Sequence, residues 1–484
     1  MGYTDKNTLD KPGQYTISDL SIIPYRITKE LSAPKPMEIL GITVNFEISE
    51  DIFQHNMVGS VIVYDTQDIR TILPITGLEK LSVKFNTPGL PGYDATLDNG
   101  QPFQIYKVDK IRLEEGGKNQ YYQIFFCSQE MYYNSISKIS QAFTGPIEES
   151  IEKIVRNKSF LNSKKILQFE PTRTNTKYVI PNWRPYTTID FLASKSVAGK
   201  YNNAGYLFYE TASGFKFRSL ESMLVKGGAF NRQSRWNFTS QAVRVTDGNP
   251  HVDNPVPDIT RRMSSVLKYE FDKPVDTLEN IQQGMYANRV VTHDAYNKEI
   301  KHYDFNYHRE FMNQWHCEVK GDGNVPKALL PLAPWNNKGW LSENPLSNLM
   351  CFSNTAKVHN DYDFINPGMT IGKIISQKQA YRNMNLTLLV YGNTSIGAGD
   401  IITFSMPMLR PAAPNEPEEE NPYTSGRYLV MAVKHTVNVD AGNNTMILKC
   451  FKDSVRTAYP YEEDTPPEGK DNSESTHEIG RAHV

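Results

Sequence analysis

Two stretches some two hundred residues apart read as the same unit, an apolar strand, a short helix, a glycine and a second strand. In the first, Ser60, Val61, Ile62, Tyr64 and Asp65 lead through a helix-like run from Gln67 to Leu73 into Gly77 and the alternating strand Leu81 to Phe85. In the second, Ser265, Val266, Leu267, Tyr269 and Glu270 precede a helix-like run from Asp276 to Met285 and the strand Val290 to His293. Val83 lies six residues after Gly77, and Val290 six after Gly284. The match predicts two copies of one β module, the arrangement from which three chains can build a pseudo-symmetric ring of six similar modules. The alternative is that any two strand-helix-strand units share such a pattern.

A chain of 484 residues exceeds one ordinary core, and at ~150 residues per domain it should hold about three. With a net charge of −2 it has no basic field to hold a polyanion, so sequence-specific nucleic-acid binding is not expected. The 27 Tyr and 22 Phe suit half-buried strands and interfaces, which argues against an all-helical fold. Cys127, Cys317, Cys351 and Cys450 have no close pairing and read as reduced thiols made in a cytosol. Met1 to Tyr15 lacks the apolar run of a secretory signal, and no stretch approaches the ~18 apolar residues of a membrane span.

Residues 1–36 carry Pro12, Pro24, Pro34 and Pro36 and read as an arm lying on another surface. Period-two patterning then marks five strands, Met37 to Ile48, Met57 to Asp65, Lys80 to Phe85, Phe103 to Leu113 and Tyr121 to Ser128, enough for an antiparallel barrel over 37–130. From 131 to 161 the spacing is helical, with Ile147, Ile151, Ile154 and Val155 on one face, and a second helix is expected to start at a capping Thr187. A hairpin of Tyr206 to Tyr209 with Phe215 to Arg218 completes a middle α/β domain over 131–260. Residues 261–310 and 376–460 are expected to form a second, discontinuous barrel, with strands Leu386 to Tyr391, Ile401 to Met406, Tyr428 to Val437 and Met446 to Phe451. Residues 311–375 read as an irregular insertion, and 461–484 as an acidic, disordered tail.

Chemistry-bearing motifs are sparse. His302, His308 and His316 lie six and eight apart, which fits neither a helical metal face nor a zinc motif. Asp361 and Asp363 near His359 alternate as in a calcium loop but lack its glycine and distal glutamate. Glu148 and Glu149 sit where a helix dipole favours carboxylates, a simpler account than an acid-base pair. No nucleophile elbow, P-loop or dinucleotide fingerprint occurs, so neither catalysis nor a cofactor or metal is expected.

Particular residues carry a family likeness. Glu50-Asp51-Ile52-Phe53, Gly59 to Asp65, Leu73-Pro74-Ile75, Gly77, and Glu79 to Phe85 ending in Thr87-Pro88-Gly89 resemble the first domain of T4-type phage baseplate hub proteins. Ile180 to Trp183, the Thr187 helix and the Gly205 to Met223 hairpin resemble that family's middle domain, and Gly399 to Ile402 with Arg427 to His435 its closing barrel. The resemblance implies a mainly β fold with an α+β insertion, two tail-tube-like antiparallel barrels and a middle α/β domain. It also implies a virion baseplate hub, in which a homotrimer offers six barrels to a hexameric tail tube, seats a central spike and contacts other baseplate proteins while DNA passes the channel. The chain ends about thirty residues after Cys450 with no oligosaccharide-fold barrel or β-helical repeat, so a separate spike protein is the expected partner. The N-terminal arm, the 311–375 stretch and the acidic tail depart from the family pattern.

Two loops are the candidate contact sites. Pro88, Gly89, Leu90, Pro91, Gly92 and Tyr93 would project from the first barrel and dock a neighbour through Leu90 and Tyr93, unless they form a plain surface turn. Glu416, Glu418, Glu419 and Glu420 could meet a basic partner, although such runs are usually solvated. The hub of a contractile injection or secretion system is the nearest alternative function. A carbohydrate-binding or carbohydrate-processing β protein is the alternative from a different class, and it requires exposed Trp beside paired carboxylates in a cleft.

Overall fold

In a computed structural model of the chain, residues 8–25, 35–73, 75–113, 119–173, 175–199, 204–224, 236–240, 259–272, 275–294, 297–318, 342–353, 367–408 and 420–455 are described. The first barrel is built from β1 (Thr16–Ile23), β2 (Met37–Glu38), β3 (Thr43–Asp51), β4 (Val58–Asp65), the short helix α1 (Ile69–Ile72), β5 (Lys80–Asn86), β6 (Tyr93–Ala95), β7 (Phe103–Leu113) and β8 (Gln120–Cys127). Its strands pair in the order β3-β4-β8-β7-β5-β1-β2, and β2 leads through one turn straight back into β3. Alternation sends Phe46, Ile48, Val61, Val63, Leu81, Val83, Phe85, Ile124 and Phe126 into one core. The expected N-terminal arm contains a strand: β1 pairs along most of β5, because its prolines flank residues 16–23 and remove no ladder donor there.

The middle part comprises α2 (Gln129–Ile136), β9 (Ile139–Pro146), α3 (Ile147–Arg156), β10 (Leu167–Phe169), β11 (Asn175–Trp183), α4 (Pro185–Ser194), β12 (Tyr206–Thr211), β13 (Gly214–Ser219) and α5 (Leu220–Leu224). α3 starts after Pro146 and buries Ile147, Ile151, Ile154 and Val155, as its spacing predicts, with Glu148 and Glu149 in its first turn. α4 begins two residues earlier than expected, with Pro185 in its first turn. Thr187 is therefore inside the helix, since proline's fixed φ suits a first-turn position. β9 is a strand inside the stretch expected to be helical, and it pairs with β11.

The last part comprises β14 (Asn237–Thr239), α6 (Ile259–Met263), β15 (Val266–Asp272), α7 (Thr277–Gln282), β16 (Ala287–Asp294), β17 (Glu299–Asn306), α8 (Tyr307–Glu310), β18 (Leu349–Ser353), α9 (Pro367–Ala380), β19 (Asn385–Tyr391), β20 (Ile401–Ser405), β21 (Gly426–Asn438) and β22 (Asn443–Phe451). The second barrel runs β15-β19-β22-β21-β20-β14, and a Thr239–Ser265 bridge returns β14 to the start of β15. It encloses Phe238, Leu386, Leu388, Ile402, Phe404, Val430, Val433, Met446 and Leu448. β16 and β17, expected in this barrel, instead form a separate sheet with β18.

That separation moves the duplication. Both sequence units do run strand, helix, left-handed glycine, strand, with φ of +91° at Gly77 and +75° at Gly284. Yet β4 and β5 share one sheet whereas β15 and β16 do not, because a local pattern does not specify a strand's partners. The pairing that repeats is β3-β4-β8-β7-β5 in the first barrel and β15-β19-β22-β21-β20 in the second, antiparallel at every step. Even the irregularities correspond. Register shifts fall between Thr43 and Asn45 on β3 and between Val266 and Lys268 on β15, and again between Ile105 and Lys107 on β7 and between Val430 and Ala432 on β21.

Candidate functional site

β21 belongs to both barrels. Its first half pairs with β20, from Gly426 with Phe404 to Leu429 with Ile401. Its second half pairs antiparallel with β3, from Ala432 opposite Asp51 to Asn438 opposite Asn45. The two barrels thereby form one 14-stranded sheet, so shear between them must break a ladder of backbone hydrogen bonds. Inward-facing side chains follow the same crossing: Val433 lies in the second core and Val437 in the first. Outside, Lys434 meets Glu47 at 2.9 Å.

His435 faces inward between Val433 and Val437, fully buried, with its ring edge-on to Phe85 and Tyr93 at 5.6 and 5.7 Å. The side-chain amide of the buried Asn444 lies beside the ring without a hydrogen bond of good geometry to it. Burial depresses the imidazole pKa to about 4, so it is neutral near pH 7.

Glu50 ties three parts together. Its carboxylate, at the end of β3, accepts from the Ala212 N–H of the β12–β13 turn at 2.6 Å and from the Ala398 N–H before β20 at 3.0 Å. The Tyr93 hydroxyl also lies near it, and burial with the neighbouring Glu50 charge pushes the tyrosine pKa up. Burial pushes the Glu50 pKa up, opposed by those donors and by Lys216. Glu50, Ala212 and Lys216 line a cleft of about 460 Å³. Gly399, beside it, has φ +87°, and a Cβ there would lie 2.3 Å from the Tyr209 hydroxyl, so only glycine fits.

A second buried ionic group fastens the middle part to the first barrel. Lys165 lies 2.7 Å from Glu130 at the start of α2 and 2.6 Å from Glu210 on β12. Glu210 in turn accepts from the Met57 N–H at 3.1 Å. Burial disfavours the Lys165 charge, but the two carboxylates outweigh it and raise its pKa. Burial raises that of Glu210.

The expected contact loop turns out to serve this intramolecular seam. Gly89 (φ +75°) lies in a turn closed by Leu90 N–H to the Thr87 carbonyl at 3.0 Å. Pro88 is buried, Leu90 half-buried, and Gly89 and Pro91 exposed. The Thr394 hydroxyl, from the loop after β19, donates to the Pro91 carbonyl at 2.6 Å and accepts from the Thr87 N–H at 2.9 Å. A Cβ on Gly92 would lie 2.3 Å from the Phe85 carbonyl. Tyr93 is buried and stacks on Phe85, so it points into the barrel rather than toward a neighbour. Glu420 is exposed and accepts from Ser405 at 2.5 Å, while Glu416, Glu418 and Glu419 lie outside the described residues.

Other sequence candidates are scattered. His316 stacks on Phe311 and shares its Nδ1 with Asp453 at 2.9 Å, away from His302 on β17. Burial opposes the His316 charge, yet Asp453 raises its pKa overall. Glu148 accepts from the Thr172 N–H at 3.1 Å, a structural contact. Among the described residues no group of three His, Cys, Asp or Glu side chains could hold a metal ion. His359, Asp361 and Asp363 lie outside those residues, and the described tryptophans, Trp183, Trp236 and Trp315, are each half-buried.

Sequence reasoning missed Glu50, Lys165, Glu210, Thr394 and His435. A signal existed for two of them: Glu50 continues the inward phase of Phe46 and Ile48, and His435 that of Val433 and Val437. A polar residue on the core-facing phase of a strand marks a place where something else meets it.

Comparison with known proteins gives fold without sequence kinship. No family model matches the chain, and no curated protein matches it in sequence. Among solved structures, a tail protein from Neisseria meningitidis MC58 is similar over 91% of this chain and 97% of its own, with 9% identity and a TM-score of 0.50. The 43 kDa tail protein of prophage MuSo2 from Shewanella oneidensis is matched over 90% of this chain and 99% of its own, with 8% identity and a TM-score of 0.48. A type VI secretion component from E. coli, described as similar to the T4 tail proteins gp27 and gp5, is matched over 93% of this chain and 80% of its own, with 9% identity and a TM-score of 0.40. The chain thus has a tail-protein fold of two antiparallel barrels with an α+β insertion, and none of its described helices is long and apolar enough to cross a membrane.

Proposed function

We propose that this chain is the structural hub of a contractile tail, three copies forming a ring of six barrels that joins a central spike to a hexameric tail tube. The observation that carries the reading is the repeated five-strand pairing order, with register shifts at corresponding places, inside one continuous sheet. Two barrels of like construction side by side let a threefold assembly present a near-sixfold face. Its sites are then protein interfaces, and its work is mechanical: shear across the paired strands must break many backbone hydrogen bonds at once. The fold likeness to a tail protein supports this placement in a virion baseplate. Light scattering of the purified chain, alone and with the spike and tube proteins from neighbouring genes, tests it. A species of three chains that binds both is expected. A monomer that ignores both would reject the hub.

A further inference from the structure

The internal contact between the barrels has a counterpart that a single chain leaves open. β21 corresponds to β7, and β3 to β15, by the pairing orders and shifts given above. The match extends to single hydrogen bonds: Ile105 N–H donates to the Glu79 carbonyl just before β5, and Val430 N–H to the Asp400 carbonyl just before β20. Within the chain, the second half of β21 is covered by β3. Among the described residues the second half of β7, Lys107 to Leu113, pairs only with β8, since β5 reaches no further than Gln104. β15 pairs only with β19, apart from the bridge at Ser265, among the described residues. Both edges thus hold unpaired backbone donors and acceptors. Both also expose apolar side chains: Leu113 is 71% exposed, Ile111 47%, Leu267 45% and Tyr269 37%.

We propose that β7 of one copy pairs antiparallel with β15 of a second copy, repeating between chains the contact that β21 makes with β3 within one. This rests on the hub reading and names the surface by which its copies join. The internal register carries across. Thr436 pairs with Glu47, and Thr436 occupies on β21 the place of Arg112 on β7, because Thr445 and Tyr121 are their corresponding partners. Glu47 corresponds to Glu270 through their partners Ser60 and Thr387. Arg112 therefore falls opposite Glu270, and Leu113 opposite Tyr269. β7 carries one extra residue at this point, absorbed where Lys110 has φ +54°. The charges complement: Lys107, Lys110 and Arg112 outnumber Asp109 on one edge, and Glu270 and Asp272 outnumber Lys268 on the other. Asp109 is already paired with Lys107. A head-to-tail contact of this kind closes when its rotation completes a ring.

Cysteine trapping in the full chain tests the register. In a Cys351→Ser background, since the other three thiols are buried, Arg112→Cys with Glu270→Cys should oxidise to covalent dimers and trimers, because directly opposed positions lie within disulfide reach. Ile72→Cys with Glu270→Cys should not. Arg112→Glu should raise the half-assembly concentration about tenfold, and adding Glu270→Arg should bring it back. A trimer that forms without the 112–270 link and ignores Arg112→Glu overturns this pairing and leaves the hub reading standing. Wild-type protein that stays monomeric with spike and tube proteins present overturns both.

Discussion

The two barrels share a strand order but not a self-sufficiency. In the first, β3 turns into β4 through six residues, from Ile52 to Met57; in the second, the corresponding step from β15 to β19 runs from Asp272 to Asn385 and carries the β16–β18 sheet and α9. So long an insertion leaves the pairing order intact because it leaves from one rim and returns to the neighbouring strand, where the loop-closure penalty grows only slowly with length. The asymmetry runs the other way in the core. Val437, which completes the first core, and His435, which contacts its Phe85 and Tyr93, belong to β21, a strand of the second barrel. The lesson is that a duplicated barrel can accept large insertions at its rim while depending on its twin at the seam.

The strongest blow to the first barrel's attachments should come from Lys165→Met, which strands Glu130 and Glu210 as buried charges. We expect a loss of about 3–5 kcal/mol in urea unfolding at pH 7. An unchanged midpoint would mean that the barrel and the middle part do not unfold together.

Next comes pH. The folded pKa of His435 lies near 4, below the free value of 6.5, so between those values the unfolded chain takes up a proton that the folded chain refuses. Stability from this group is whole above pH 6.5 and falls by roughly 3 kcal/mol as pH approaches 4. His435→Leu should flatten that part of the profile. His316 has the opposite sign: its raised pKa gives stability present below pH 6.5 and lost as pH rises through its folded value. His316→Gln should therefore flatten the alkaline side, and identical profiles for the two variants would refute the contrast.

Smaller effects sharpen the seam. Val437→Ala should cost about 2 kcal/mol through lost burial and the void left behind. Thr394→Ala, which removes the hydroxyl bonded to Thr87 and Pro91, should cost about 1 kcal/mol. Lys434→Met, at a largely exposed pair, should stay below ~1 kcal/mol. A larger loss for Lys434 than for Val437 would place the seam's strength in surface charge rather than in the shared core.

Much of the architecture was legible from period alone. Four first-barrel strands (β4, β5, β7 and β8), the β12–β13 hairpin, the buried face of α3 and the late strands β19 to β22 follow from alternation and helical spacing, which report burial residue by residue. Met37 to Ile48, expected as one strand, is instead β2, a tight helical turn at Leu40–Ile42 and β3. β1 was hidden by prolines that prove to lie outside it, and β9 by neighbours with helical spacing. The contact loop was found as a turn but assigned outward. Nothing in Pro88 to Tyr93 reveals Thr394, which lies some three hundred residues away in the chain.

By itself the sequence determined that this protein is a mainly β chain with an α+β insertion, because strand phase and turn chemistry are local properties. Only the tertiary structure decided which strands constitute the duplication, that β21 serves two cores, and that Glu50, Lys165 and His435 stand where the parts meet. Partner choice depends on what lies across the ladder, and a strand's own residues carry no record of that.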